Sequence, residues 1–365
     1  MIKNKLIYIK TFGCLQNQAD SERISYYYWK QGYFVSNSWE EADRVVINTC
    51  MIRESAENRA YGLINKIDQF NANHNNKIEI IVTGCLVGAL IRQNNQGEWS
   101  SKFPQVSKWL PISTYDYGEN EPLRENSKTA IIPISNGCNN YCSYCIVPFT
   151  RGKEVSRPFE EIINEAQMAV KNGFEELSLV GQNVNSYGAD MLGADNWVNM
   201  GKKRFKSLFP KLLETVATMG FKKISFVSSN PWDFSDELID VVSKYSTIDR
   251  LIHLPLQSGD DNVLIKMNRG YNADEYLELV SKIKKKVKGV KISTDIIVGF
   301  PGEDETAFTN TIKVCRKAKF VKAYINKYSP RKGTMSALNF GDNVPPKEKK
   351  RRWMILEELI NKVKQ

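Results

Sequence analysis

Strand and helix patterns alternate along this 365-residue chain, and four of the strands run almost directly into a cysteine. Leu6–Lys10 leads to Cys14, Arg44–Asn48 to Cys50, Ile78–Thr83 to Cys85, and Ala130–Ser135 to Cys138. Alternation of this kind specifies parallel sheet, because parallel neighbours need a long crossover that is usually a helix. The carboxyl edge of such a sheet would gather the first three thiols although they lie about 35 residues apart. Cysteine is also a common small buried hydrophobe, which is the competing reading. Its recurrence at the same strand end favours a three-thiolate cluster with one iron left open.

The alternation divides into two blocks. In the first, helices are expected over Ala19–Gln31 and Glu54–Phe70, with Asn71–Asn76 a loop. In the second, strands are expected at Ala130–Ser135, Glu176–Val180, Lys223–Val227, Leu251–Leu256, Lys291–Val298 and Lys322–Tyr328. Six β/α units are too few for a closed eight-stranded barrel, so an open partial barrel follows, with its chemistry at the carboxyl strand ends. Tyr276, Val280, Ile283 and Val287 have the spacing of a buried helical stripe, leaving Lys282, Lys284, Lys285, Lys286 and Lys288 as its wet face. The divisions are 1–115, a polar linker at 116–128, a catalytic domain at 129–340 and a basic C-terminal helix at 341–365.

Composition narrows the functional class. The seven cysteines are odd in number and widely spread, a poor disulfide framework but good material for cluster ligation. No stretch approaches the about 18 to 20 apolar residues of a membrane span, and the N-terminus lacks a signal-peptide core. A cytoplasmic protein without membrane contact is expected, in a compartment where thiols stay reduced. The formal charge of +10 suits a polyanionic partner, though a solvated basic surface would give the same excess.

Cys138, Cys142 and Cys145 are spaced C-x3-C-x2-C on one loop after a strand. Three thiolates leave one iron of a four-iron cluster open to chelation by an amine and a carboxylate, which S-adenosylmethionine offers. Structural zinc prefers four ligands in paired C-x2-C arrangements, and no fourth cysteine or histidine lies nearby. The spacing, with Tyr144 before the last cysteine, is the radical-SAM signature. Cys315, in a helical stretch with Ile312, Val314 and Ala318, reads as core. With His74 and His253 the only histidines, acid–base schemes built on imidazole have little material.

The chain resembles the radical-SAM methylthiotransferases over nearly its whole length. The likeness rests on Lys10–Cys14, Asn17, Asp20-Ser21, Asn48–Glu54, Gly137–Cys145, Pro148–Pro158, Gly181–Tyr187, Leu254–Gly259 and Asp295–Glu303. It implies an α/β fold, with an N-terminal flavodoxin-like parallel-sheet cluster domain followed by a partial (β/α)6 radical-SAM barrel. It also implies two 4Fe-4S clusters, one on Cys138, Cys142 and Cys145 and an auxiliary one on Cys14, Cys50 and Cys85. The first would generate a 5′-deoxyadenosyl radical from S-adenosylmethionine. The second would carry a methylated sulfur, the methyl coming from another S-adenosylmethionine. The two strand-end edges are then expected to face each other across the substrate.

Within the family, Gly181–Tyr187 and Gln257-Ser258-Gly259 look like the branch that methylthiolates C2 of N6-isopentenyladenosine beside the tRNA anticodon. The threonylcarbamoyladenosine branch is near, and the branch modifying a ribosomal-protein aspartate is farther. A silent RNA-binding relic is disfavoured by six intact cysteines. Tyr144, Gly181, Gln182, Asn183, Gln257, Ile297, Val298 and Gly299 are expected around the cofactor; a turn or barrel-core role is the alternative for each. Arg151, Glu154 and Arg157 are expected to form a salt-bridged lid or to hold cofactor or substrate. Gly188–Lys206, with Trp197, Lys202, Lys203 and Arg204, reads as a substrate flap. The family's tRNA-binding members carry a C-terminal TRAM barrel after the helix at which this sequence stops, so Lys347–Trp353 is the remaining source of phosphate contacts. The implied partners are tRNA and an electron donor such as flavodoxin or ferredoxin, with the enzyme acting as a monomer.

Overall fold

The computed structural model describes residues 5–51, 54–75, 77–115, 122–124, 128–192 and 207–362. The chain forms two compact units, Met1–Pro133 with Ile146–Lys153, and Ile134–Cys145 with Glu154–Gln365. The eight residues that follow Cys145 therefore belong to the first unit, whereas sequence continuity assigned them to the second. The expected linker falls largely outside the described residues, as does 193–206 of the expected flap.

In the first unit, β1 (Lys5–Thr11), β2 (Tyr33–Val35), β3 (Arg44–Thr49), β4 (Glu79–Gly84) and β5 (Lys108–Trp109) form one parallel sheet in the order β2-β1-β3-β4-β5. This is the flavodoxin-like order, whose direction reverses between β1 and β3. The central strands β3 and β4 read as continuous apolar runs because both their faces are covered. On one face pack Ala56, Ala60, Ile64 and Ile67 of α2 (Glu54–Asn73), with Leu86, Val87 and Leu90 of α3 (Cys85–Arg92). On the other pack Ile24 and Tyr28 of α1 (Leu15–Trp29), with Tyr115. Beyond α3 come α4 (Gln96–Lys102) and, in the returning segment, α5 (Val147–Thr150), which packs on α3.

Strand β6 (Thr129–Pro133) leads into the second unit, where the Ile134 N–H donates to Val180 O at 2.9 Å. β7 (Ser135–Asn136) and β8 (Val155–Ser156) pair antiparallel. Strand β9 (Glu176–Val180) pairs in parallel with β10 (Lys223–Phe226). Strands β11 (Leu251–His253), β12 (Lys291–Val298) and β13 (Lys322–Lys327) make a second parallel set, and a bridge from Ile224 to Ile248 connects the two. Chain order and strand order coincide, as a partial barrel requires. The helix at Ala273–Lys286 begins with an Asn272/Glu275 capping box and buries Tyr276, Val280 and Ile283, while Lys282 and Lys286 pair with Asp236 and Asp240. Cys315 is buried in the helix at Glu305–Ala318, and burial pushes its thiol up to about 12.

Candidate active site

In the first unit three cysteines follow adjacent strand ends. Thr11 of β1 stands opposite Asn48, and Thr49 of β3 opposite Gly84. Cys14 and Cys50 thus flank the point where the strand order reverses, which is where open α/β sheets leave a crevice. Cys14 is exposed, Cys50 and Cys85 are buried. α1 begins beside Cys14 and α3 at Cys85; burial pushes the Cys14 thiol up, and the Arg151 guanidinium opposes that rise.

A polar network ties the three loops together. The Asn17 amide donates to Asn48 Oδ1 at 3.0 Å and to Thr49 O at 3.1 Å, and the Asn48 amide returns bonds to Asn17 O and Ser21 Oγ. Thr49 Oγ1 donates to Thr83 O at 2.5 Å and accepts from the Leu86 N–H. Gly84 has a φ of +90°, and a Cβ there would stand 2.4 Å from Asn48 Oδ1 and 2.5 Å from Thr49 O, so only glycine lets β4 end against β3. This explains the Gly before Cys85. Arg151 and Asp20 complete the site as a buried ion pair at 2.7 Å. Burial works against the Arg151 charge, but Asp20, then Cys85 and Cys14, more than offset it and hold the guanidinium charged.

In the second unit the loop Gly137–Cys145 is held from several sides. The Gly137 N–H donates to Gln182 Oε1 at 2.6 Å. The Ser143 N–H donates to Met267 O, its hydroxyl to Lys266 O, and its own carbonyl accepts from Ser336 N–H. The Asn268 amide caps Tyr141 O at 3.0 Å. Burial, and then the Glu154 carboxylate, push the Cys138 thiol well up, so ionisation there calls for a compensating cation. Cys142 Sγ accepts from Arg269 Nη1 at 3.2 Å, while the same guanidinium lies 4.7 Å from the Trp232 ring centre and donates to Asn230 Oδ1. Sequence reasoning missed Arg269: within Asn268-Arg269-Gly270 nothing distinguishes it from a surface arginine.

The expected cofactor residues take different roles. Gln182 orients the cysteine loop. The Asn183 amide donates to Asp233 Oδ2 at 2.9 Å. Among the described residues, the buried Asn183 Oδ1, Ser135 Oγ and Ser229 Oγ have no hydrogen-bond partner; Asn183 and Ser229 follow the ends of β9 and β10, and Ser135 opens β7. Buried polar atoms of this kind are rare and fit the amine and carboxylate of an amino-acid ligand. Gly181 leaves room for Ser135 Oγ, which would stand 2.8 Å from a Cβ. Ile297 and Tyr144 each pack against the buried cluster of Val263, Met267, Phe300, Ala307 and Tyr328, whereas Val298 is fully buried. Gln257 holds a left-handed backbone and bridges to Ile296, and the Gly299 N–H donates to Glu303.

Arg151, Glu154 and Arg157 each have a partner of their own. Arg151 pairs with Asp20 in the first unit; Arg157 pairs with Glu165 at 2.8 Å and Glu154 accepts from Ser186 Oγ, both in the second. Arg151 belongs to the first unit, and Glu154 and Arg157 to the second. His253 has both ring nitrogens engaged, by Ser293 Oγ and Asp295 Oδ2 at 3.1 Å each. Within Lys347–Trp353, Lys349 is buried against Asp342 and Tyr328 O, Arg352 against Glu303, and Trp353 Nε1 donates to Ile325 O. Much of that basic stretch is therefore an internal docking face.

Among the described residues no three cysteine, histidine, aspartate or glutamate side chains converge tightly enough for one metal ion. A four-iron cluster asks its thiolates to stand farther apart, each on a different iron. The all-thiol donor sets suit iron–sulfur clusters in both units.

The model of the Radical SAM superfamily matches residues 132–315, and that of Uncharacterized protein family UPF0004 matches 6–107. The chain is 38% identical over 380 residues to a tRNA-2-methylthio-N(6)-dimethylallyladenosine synthase of Clostridium botulinum, covering 98% of this chain and 81% of that one. An enzyme of the same name from Thermotoga petrophila is 36% identical over 381 residues, covering 98% and 82%. Among solved structures, the radical S-adenosylmethionine methyltransferase TsrM from Kitasatospora setae superposes with a TM-score of 0.61 at 11% identity, over 92% of this chain and 77% of that one. The cobalamin-dependent S-adenosylmethionine radical enzyme OxsB gives 0.55 at 9% identity, over 99% and 56%. The structural likenesses speak to fold alone. Radical SAM enzymes use a 4Fe-4S cluster and S-adenosylmethionine, and the sequence identities are high enough to go further: the chain belongs to the family of tRNA-2-methylthio-N(6)-dimethylallyladenosine synthases within the radical SAM superfamily.

Proposed function

We propose that this chain attaches a methylthio group to C2 of an N6-isopentenyladenosine 3′-adjacent to the anticodon of tRNA. The observation that carries this reading is the pair of three-cysteine sets, one past the strand ends of each unit. Cys138, Cys142 and Cys145 would hold the cluster that binds S-adenosylmethionine, and Cys14, Cys50 and Cys85 an auxiliary cluster. When bound, these groups supply radical and sulfur chemistry at a carbon whose hydrogen no ordinary base removes. The chain's residues bind and orient. Gln182 and Ser143 fix the cysteine loop, Asn183, Ser135 and Ser229 offer polar atoms to the amino-acid end of the cofactor, and Ile297 with Tyr144 gives an apolar wall for its adenine. A flavodoxin or ferredoxin would supply electrons, and tRNA binding would take place in the cytoplasm. No helix among the described residues is long and apolar enough to cross a membrane.

The test is anaerobic reconstitution followed by iron and sulfide counts on the wild type and on a Cys138→Ala/Cys142→Ala/Cys145→Ala variant. Two four-iron clusters in the first and one in the second are expected. Mass spectrometry of nucleosides from isopentenylated tRNA should then show the methylthio product. Product only with threonylcarbamoylated tRNA, or with a ribosomal protein, would overturn the substrate assignment.

A further inference from the structure

Arg151 stands in a part of the chain whose position is over-determined. The Gly88 Cα approaches Thr150 so closely that a Cβ would lie 1.9 Å from its carbonyl oxygen. Arg92 Nη1 donates to that oxygen at 2.8 Å and to Gly88 O at 3.1 Å. The backbone next to Arg151 is thus clamped to α3, the helix that begins at Cys85. The guanidinium in turn donates to Asp20 on α1, the helix that begins beside Cys14, and the two side chains are 4% and 1% exposed.

We propose that Arg151, oriented by Asp20, is a positioning residue that places a fixed positive charge beside the Cys14 and Cys85 thiolates and thereby sets the reduction potential of the cluster that they hold with Cys50. The proposal rests on the reading of these three thiols as cluster ligands. Stability alone gives little reason for such a pair: exchanging a buried ion pair for apolar residues of like volume is often neutral or favourable. Electrostatics gives a reason, because charges interact strongly where water is excluded. A reduced cluster carries one more negative charge than an oxidised one, so a nearby cation favours reduction. Asp20 both anchors the cation and moderates its field. The coupling of the Arg151 charge to Cys85 and Cys14 agrees with this placement.

The experiment uses the full chain with Cys138→Ala/Cys142→Ala/Cys145→Ala as parent, so that a single cluster is observed. Its potential is read by an anaerobic redox titration followed by electron paramagnetic resonance. Arg151→Met is expected to shift the potential lower and Asp20→Asn higher, with Arg151→Lys moving it less than Arg151→Met. Should Arg151→Met fail to retain iron, Asp20→Asn and Arg151→Lys decide the matter. Variants that hold the cluster at the parent's potential overturn the proposal, because a purely structural pair would alter stability and leave the potential in place. A parent that binds no iron at all overturns the two-cluster reading instead, a separate result.

Discussion

Arg269 Nη1 donates to Cys142 Sγ across 3.2 Å, although the two residues lie 127 positions apart. The same guanidinium also donates to Asn230 Oδ1 and lies over Trp232, so its plane is fixed by groups on a third segment. Partners of this kind orient ligands, and their loss typically costs about 10- to 100-fold in metal affinity or activity. Arg269→Met is expected to lower 5′-deoxyadenosine formation with a chemical reductant by that factor. Arg269→Lys should recover little, since an ammonium cannot serve the sulfur, the amide and the ring face together. Cofactor cleavage at the wild-type rate in Arg269→Met would show the contact to be incidental.

Glu154 gives a pH dependence whose sign follows from its surroundings. Burial, opposed by the bond from Ser186 and aided by Asp233 and Asp190, raises its carboxyl from 4.5 to about 7. Between those values the folded chain keeps a proton that the unfolded chain releases, so stability falls as pH rises through this window. By pH 8 the cost amounts to about 3 kcal/mol. Glu154→Gln, which resembles the protonated acid, should remove it. Anaerobic urea unfolding at pH 5 and pH 8 is the measurement: the variant should gain on the wild type with pH, and parallel profiles would refute the assignment.

The sheet of the first unit was legible because β3 and β4 each carry an apolar run and end directly before a cysteine. β2 and β5 were not, since three and two residues carry no usable periodicity. The start of α1 was read four residues late because Gln16 and Asn17, which open it, are polar yet buried. Asn17 is bonded to Asn48 and Thr49 just before Cys50, where hydrogen bonding and not hydrophobicity decides the conformation. The same limit hid Arg151's partner, which lies 131 positions away. Strand ends and cysteine spacing are local signals, whereas the polar atoms that surround the thiols are assembled only by tertiary packing.

The basic stretch Lys347–Trp353 divides into two kinds of residue with separable effects. Removing Arg352 strands Glu303, whose side chain is 1% exposed, and breaking a buried pair in this way costs about 3–5 kcal/mol. Arg352→Ala should therefore unfold at clearly lower urea than the wild type. Lys347 and Lys350 are exposed and should change stability by less than about 0.5 kcal/mol when replaced by alanine. If these two lysines meet tRNA phosphates, the double variant will weaken binding and flatten the dependence of log K on log salt by about 1 to 2. An unchanged slope, measured by filter binding from low to physiological salt, would remove this helix from the tRNA surface and leave it the internal role that Lys349 and Arg352 already fill.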